Sequence, residues 1–296
     1  MRLFKKKFGI AFSGGGVRGL AEIGAWKALE ENNIPFADMV TGTSVGSIIG
    51  SCYALGYRSD EVYDFALGIG SEIFKSYSMP QGDLREKFSY FMANRSKLFS
   101  LTKSSENIEK MIRAFYGKKT FDDTLIPFYV VTTDLISGKE IQINSGELAV
   151  VCRASSSAPG VFSPTTLDDM ILVDGFILNN LPSDILKNNS IDVVLGIDVE
   201  SDAFSPCKST KFIDLLLATF DIATSYGRIK NRDLCDVLVM PELSSFSKFK
   251  IDQKKMKEMY EIGREAMQEK IPDLKALLKL RDKKIFSFSK KNNTNN

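Results

Sequence analysis

Not one histidine occurs in the 296 residues of this chain. That removes the imidazole that takes the hydroxyl proton in a Ser-His-Asp triad, and it makes a zinc site improbable. Cysteine is scarce too: Cys52, Cys152, Cys207 and Cys235 are far apart and unevenly spaced, with no Cys-x-x-Cys pair. Neither a disulfide framework nor a metal knuckle fits that pattern, and reduced thiols in the cytoplasm fit it best. No apolar run approaches the ~18 residues of a membrane-spanning helix. The basic start, Met1-Arg2-Leu3-Phe4-Lys5-Lys6-Lys7, leads into the short apolar run Phe8 to Phe12 and then glycines, too little for a signal-peptide core. An excess of one charge is missing as well. Thirty-nine Lys+Arg against 37 Asp+Glu leave a net +2, which gives no reason to expect nucleic acid as a partner.

What is present is an ordinary globular composition, 44% hydrophobic and 26% charged, on a chain long enough for one large α/β domain. Phe8 to Phe12 reads as a buried strand, and Val17 to Glu31 as the helix after it. Ala37 to Val40 and Val45 to Leu55 repeat the pattern, and two successive strand-turn-helix units argue for a parallel sheet covered by helices. Further strands are expected at 128–133, 140–143, 171–173, 193–199 and 237–240. A helix is expected at 252–270, with Met256, Met259, Tyr260, Gly263 and Met267 at core spacing. Phe74 to Phe99 mixes aromatics with Lys and Arg, as either a cap or a pair of core-facing helices, the second being the plainer reading. From Lys283 onward the chain is rich in Lys, Ser and Asn and is expected to be disordered.

Three pieces carry the chemistry. Gly14-Gly15-Gly16-Val17-Arg18-Gly19 lies between a strand and a helix. Read as Gly-x-Gly-x-x-Gly it is a dinucleotide fingerprint, with Asp38 about twenty residues on where a ribose-binding acid would sit. Its glycines equally suit backbone N–H groups presented to an oxyanion or phosphate. Gly42-Thr43-Ser44-Val45-Gly46 is a Gly-x-Ser-x-Gly turn, whose glycines allow a sharp bend that exposes the serine hydroxyl. The helix behind it aims a partial positive charge at Ser44. Asp174-Gly175 follows the strand Ile171-Leu172-Val173. Alone it reads as a turn, but without histidine a carboxylate is the natural base for Ser44, with Asp134 and Asp198 as rivals for that role.

In this order the three pieces resemble the patatin-like phospholipase family, in its bacterial form with a single catalytic domain. The likeness extends through Thr132-Thr133-Asp134-Leu135, Arg153-Ala154-Ser155, Ala158-Pro159-Gly160-Val161-Phe162-Ser163-Pro164 and Asn179-Asn180-Leu181-Pro182. The resemblance implies a three-layer α/β/α fold over residues 1–275, followed by a basic tail at 276–296. It implies Ser44 as nucleophile, Asp174 as base and Gly14, Gly15 and Gly16 as the oxyanion hole. Arg18 would support that loop, hold a phosphate or close a helix-end ion pair. No metal or organic cofactor is implied. The substrate would be a lipid ester at a membrane or micelle surface, met by a cytoplasmic protein that binds membranes peripherally. An acyltransferase would share the acyl-enzyme and differ in its acceptor; a non-catalytic dinucleotide- or lipid-binding protein would use the same loop without turnover. Phe176 departs from the family, which usually has a small residue there, and bears on the acyl pocket beside Asp174. Head group, acyl position and oligomeric state stay open.

Overall fold

A computed structural model describes residues 6–73, 101–200, 212–246, 248 and 253–279. The aromatic segment 74–99 and the tail from Lys283 lie outside them. Among the described residues eight strands form one sheet: β1 (Phe8–Phe12), β2 (Met39–Thr43), β3 (Phe128–Asp134), β4 (Lys139–Ile143), β5 (Thr165–Leu167), β6 (Met170–Asp174), β7 (Val193–Ile197) and β8 (Val237–Val239). Their order is β5-β6-β3-β2-β1-β7-β8, with β4 also paired to β3. From β3 through β8 the neighbours run parallel. The pairs β3–β4, β3–β6 and β5–β6 are antiparallel. The sheet is therefore mixed and mostly parallel.

The helices are α1 (Leu20–Glu31), α2 (Val45–Ala54), α3 (Ser59–Ile73), α4 (Leu101–Tyr116), α5 (Leu148–Ser155), α6 (Ser183–Asn188), α7 (Phe212–Arg232) and α8 (Gln253–Leu277). They cover both faces of the sheet, and the central strands are accordingly apolar on both sides. Phe8, Ile10 and Phe12 of β1 join the larger core with α1, α2 and α8. Ala11 points the other way, into a smaller core with Leu181, Ile185 and Leu186 around α6. Burying each large side chain of this kind contributes ~1.5–3 kcal/mol. Where α1 crosses α8 the backbones touch: a Cβ on Gly24 would meet the Tyr260 carbonyl, and one on Gly263 the Ala21 carbonyl. Any larger residue there would separate the two helices.

Several element bounds differ from the sequence reading, two of them for a plain physical reason. β2 occupies Met39–Thr43 rather than 37–40. Thr41 and Thr43 look like turn residues, yet both are buried strand residues whose hydroxyls donate to the carbonyls of Pro182 (2.9 Å) and Asn179 (2.8 Å). α8 continues through Pro272 to Leu277, because Met267, Ile271 and Leu274 keep its apolar face buried past the proline.

Candidate functional site

β2 ends at Thr43 and α2 begins at Val45, so the chain reverses at Ser44, with φ 53° and ψ −125°. For a residue with a Cβ this left-handed conformation costs on the order of 1–3 kcal/mol. Its neighbours hold it there. The Ser44 N–H donates to Ser155 Oγ at 2.8 Å, and the Ser44 carbonyl accepts from the Ser47 N–H (2.9 Å) and hydroxyl (2.6 Å). A Cβ on Gly42 would run into the Gly46 carbonyl, and one on Gly46 into the carbonyls of Phe12 and Ser13. Backbone fills the space where side chains would stand, which is why both flanking positions are glycine.

Strand register brings the aspartate to this turn. On β3, Val131 is opposite Thr43 of β2, while the next residue, Thr132, is opposite Asp174 of β6. β2 runs parallel to β3 and β6 antiparallel, so their C-terminal ends converge on one point of β3. There Ser44 Oγ donates to Asp174 Oδ2 at 2.7 Å. Asp174 Oδ1 accepts from the Phe176 N–H at 3.0 Å, and the Asp174 N–H donates to the Ser157 carbonyl at 3.1 Å. Gly175 has no room for a side chain, since a Cβ would meet the Val131 carbonyl. Asp174 is buried, and burial pushes its carboxyl up to about 7 against the opposing pull of the Phe176 N–H, the Ser44 hydroxyl and the Lys248 ammonium.

The rival carboxylates are engaged elsewhere. Asp134 accepts the Ser137 hydroxyl (2.6 Å) and the N–H groups of Ser137, Ile136 and Ile171, which hold its carboxyl down at about 2. Asp198 is fully buried and bonds the Arg232 guanidinium at 2.7 Å and the Glu200 N–H at 2.9 Å.

The three loop glycines are not equivalent. The Gly14 N–H is shared between the Asn180 carbonyl and Oδ1, both at 3.1 Å, and Asn180 Nδ2 returns a bond to the Gly14 carbonyl at 3.1 Å. Gly14 packs on the nucleophile turn, with a Cβ placed there 3.1 Å from Ser44 Cβ. Its N–H is already taken, unlike those of Gly15 and Gly16, the other two glycines of the expected oxyanion hole. Among the described residues, no partner takes the N–H of either. Gly16 has φ 61°, and a Cβ on it would strike the Lys248 carbonyl. The Arg18 side chain is engaged within the protein. Its buried guanidinium donates twice to the Phe246 carbonyl (3.0 and 2.7 Å) and lies 3.8 Å from Glu200. Glu200 also pairs with the Lys248 ammonium at 2.9 Å, and the Val17 N–H donates to the Lys248 carbonyl at 3.0 Å. Arg18 thus ties Phe246 to the glycine loop.

Asp38 contradicts the dinucleotide reading. It lies before β2, where its carboxylate accepts from the Phe8 N–H at 2.8 Å. The glycine loop follows the opposite end of β1, and a ribose-binding acid must lie at that end.

A model of patatin-like phospholipases matches residues 10–187. The chain belongs to the patatin-like phospholipase family. An NTE family protein of Mycobacterium tuberculosis is 24% identical over 270 residues, covering 82% of this chain and 43% of the relative. Lysophospholipase NTE1 of Pyricularia oryzae is 32% identical over 200 residues, covering 68% of this chain and 12% of the relative. The chain thus spans less than half the length of these curated relatives. Among solved structures, VipD from Legionella pneumophila aligns with a TM-score of 0.49 and 15% identity, over 93% of this chain and 67% of that one.

Several site residues of this patatin-like chain had no role assigned from the sequence. Sequence reasoning gives Ser155 and Asn180 no role of their own, yet one bonds the Ser44 N–H and the other clamps Gly14. Sequence reasoning also misses Glu22. It is fully buried at the start of α1, receives the Ser13 hydroxyl at 3.5 Å, and burial raises its carboxyl well above the usual range. The available signal was a lone carboxylate among the apolar and small residues that begin α1. Among the described residues no group of three or more Cys, Asp or Glu side chains is placed to hold a metal ion.

Proposed function

We propose that this protein is a serine acyl hydrolase that cleaves carboxylic esters of lipids through Ser44 and Asp174. The observation that carries the reading is the 2.7 Å hydrogen bond from the hydroxyl of a conformationally strained serine to a buried carboxylate, in a chain with no histidine. Asp174 takes the hydroxyl proton as Ser44 Oγ attacks the ester carbonyl carbon. The oxyanion that forms is met by the free N–H groups of Gly15 and Gly16 and by the positive end of α2. Collapse breaks the ester bond, and the departing alcohol takes the proton back from Asp174. Water then attacks the acyl-enzyme with Asp174 again as base, releasing the fatty acid and restoring Ser44. A carboxyl with its midpoint near neutrality both accepts and returns that proton readily at pH 7.

The substrate is proposed to be a phospholipid or lysophospholipid presented at a surface. The fungal relative's name motivates the lysophospholipid. Leu215, Ile222 and Ile229 motivate the surface: they stand seven residues apart on α7, hence on one side of it, and are 46%, 56% and 56% exposed. No helix among the described residues is long and apolar enough to cross a membrane, so contact would be peripheral.

The test is to incubate the protein and its Ser44→Ala variant with mixed phospholipids and lysophospholipids, as monomers and as vesicles, and to identify products by mass spectrometry. Free fatty acid from wild type alone, rising as substrate aggregates, is expected. Acyl transfer to an added alcohol in place of fatty acid would make the protein a transferase. No release from any ester would contradict the reading.

A further inference from the structure

The serine run that follows the body of α5 touches both members of the proposed dyad. Ser155 is fully buried; its hydroxyl donates to the Val131 carbonyl at 2.7 Å and accepts the Ser44 N–H at 2.8 Å. Two residues on, the Ser157 carbonyl accepts the Asp174 N–H at 3.1 Å. One turn earlier on α5, Cys152 Sγ donates to the Ser47 carbonyl at 3.4 Å, and Ser47 itself bonds the Ser44 carbonyl. One short stretch of chain therefore grips Ser44 on one side and Asp174 on the other, and ties both to β3.

We propose that Ser155 is a positioning residue for the hydrolytic reaction: its hydroxyl fixes the Ser44 backbone so that Oγ stays aligned on the Asp174 carboxylate. The proposal rests on the hydrolase reading above. Ser44 and Asp174 come from strands that never pair with each other. Both pair with β3, where Val131 and Thr132 are their register points. Register alone sets their distance to within a strand spacing, whereas an efficient proton transfer needs a few tenths of an ångström. Ser155 supplies that finer adjustment, because a single hydroxyl satisfies the Ser44 N–H and anchors it to the Val131 carbonyl. Without it the strained turn has a buried N–H unpaired and can relax away from Asp174.

A residue that merely helped the protein fold would change the amount of active enzyme. Positioning predicts a different signature. Asp174 is faced by the Ser44 hydroxyl from the turn, the Phe176 N–H from its own loop and the Lys248 ammonium from the segment beside the glycine loop. Loosening the first of these leaves the carboxylate less stabilised, so its ionisation moves to higher pH.

The experiment compares kcat, KM and the pH dependence of kcat/KM for wild type, Ser155→Ala and Ser155→Thr, with the folded fraction checked by circular dichroism. Ser155→Ala should lower kcat at least tenfold with KM within twofold, and should move the acidic limb upward. Ser155→Thr, which keeps the hydroxyl, should recover most of both. Should Ser155→Ala not fold, Ser155→Cys gives the same comparison, because a thiol bonds weakly. A Ser155→Ala enzyme with wild-type kcat, or one whose loss matches its folded fraction with an unmoved pH limb, overturns the proposal. In that case active wild type leaves the hydrolase reading standing. Inactive wild type would remove both.

Discussion

An ordinary aspartate is a poor base for an alcohol, and Asp174 departs from the ordinary by being buried. Burial raises its carboxyl to about 7, which has two consequences of opposite kind. As the proposed base, Asp174 acts in its ionised form, so kcat/KM should rise with pH through a single limb near 7, and Asp174→Asn should nearly abolish turnover while lipid binding persists. Stability runs the other way. The folded protein holds a proton that the unfolded chain, with a reference near 3.9, has released. The stabilising contribution of that proton is complete below the unfolded value and is lost as pH rises through the folded one. Asp174→Asn should therefore exceed wild type in stability by a margin that widens from pH 4 to 8, to roughly 4 kcal/mol at most. Urea unfolding across that range measures it. A margin that stays flat would mean the carboxyl is not raised. Asp134→Asn and Asp198→Asn, provided they fold, should retain turnover, since those carboxylates serve a turn and the Arg232 ion pair.

Among the elements, the site is made where strand ends meet loops. The Ser44 turn, the glycine loop and the Asp174-Gly175 corner were legible in sequence because each needs residues without bulk at fixed places: Gly42 and Gly46 around the serine, Gly175 against the Val131 carbonyl. That Ser44 meets Asp174 across 130 residues was not legible from spacing, because it depends on how β2 and β6 register on β3. Ser155 and Asn180 were opaque for the same reason: a hydroxyl or an amide shows its partner only once the chain has folded. The glycine loop tests this scale. Gly15→Ala would press a methyl into the Val199 side chain and displace the free N–H groups, so kcat should fall ~10²-fold or more. Asn180→Ala, which releases Gly14, should lower kcat by less, with KM nearly unchanged. Effects confined to KM would place the loop in substrate binding instead.

Across the whole molecule, the alternation of strand, turn and helix announces a largely parallel sheet, and the adjacent strands β3, β2, β1, β7 and β8 form its parallel part. The antiparallel border of β4, β5 and β6 was harder to read, since strands as short as Thr165–Leu167 carry too few residues for a periodic signal. That border matters, because an antiparallel β6 is what turns Asp174 toward Ser44. The fold, the family and the absent histidine motivate the proposed covalent intermediate at Ser44. The direct test is to react the protein with a fluorophosphonate, which phosphonylates an activated serine, and to locate the adduct by peptide mass spectrometry. The account predicts one adduct, on Ser44, lost in Ser44→Ala and formed far more slowly in Asp174→Asn. Equal labelling of Ser44→Ala, or an adduct on another residue, would contradict it.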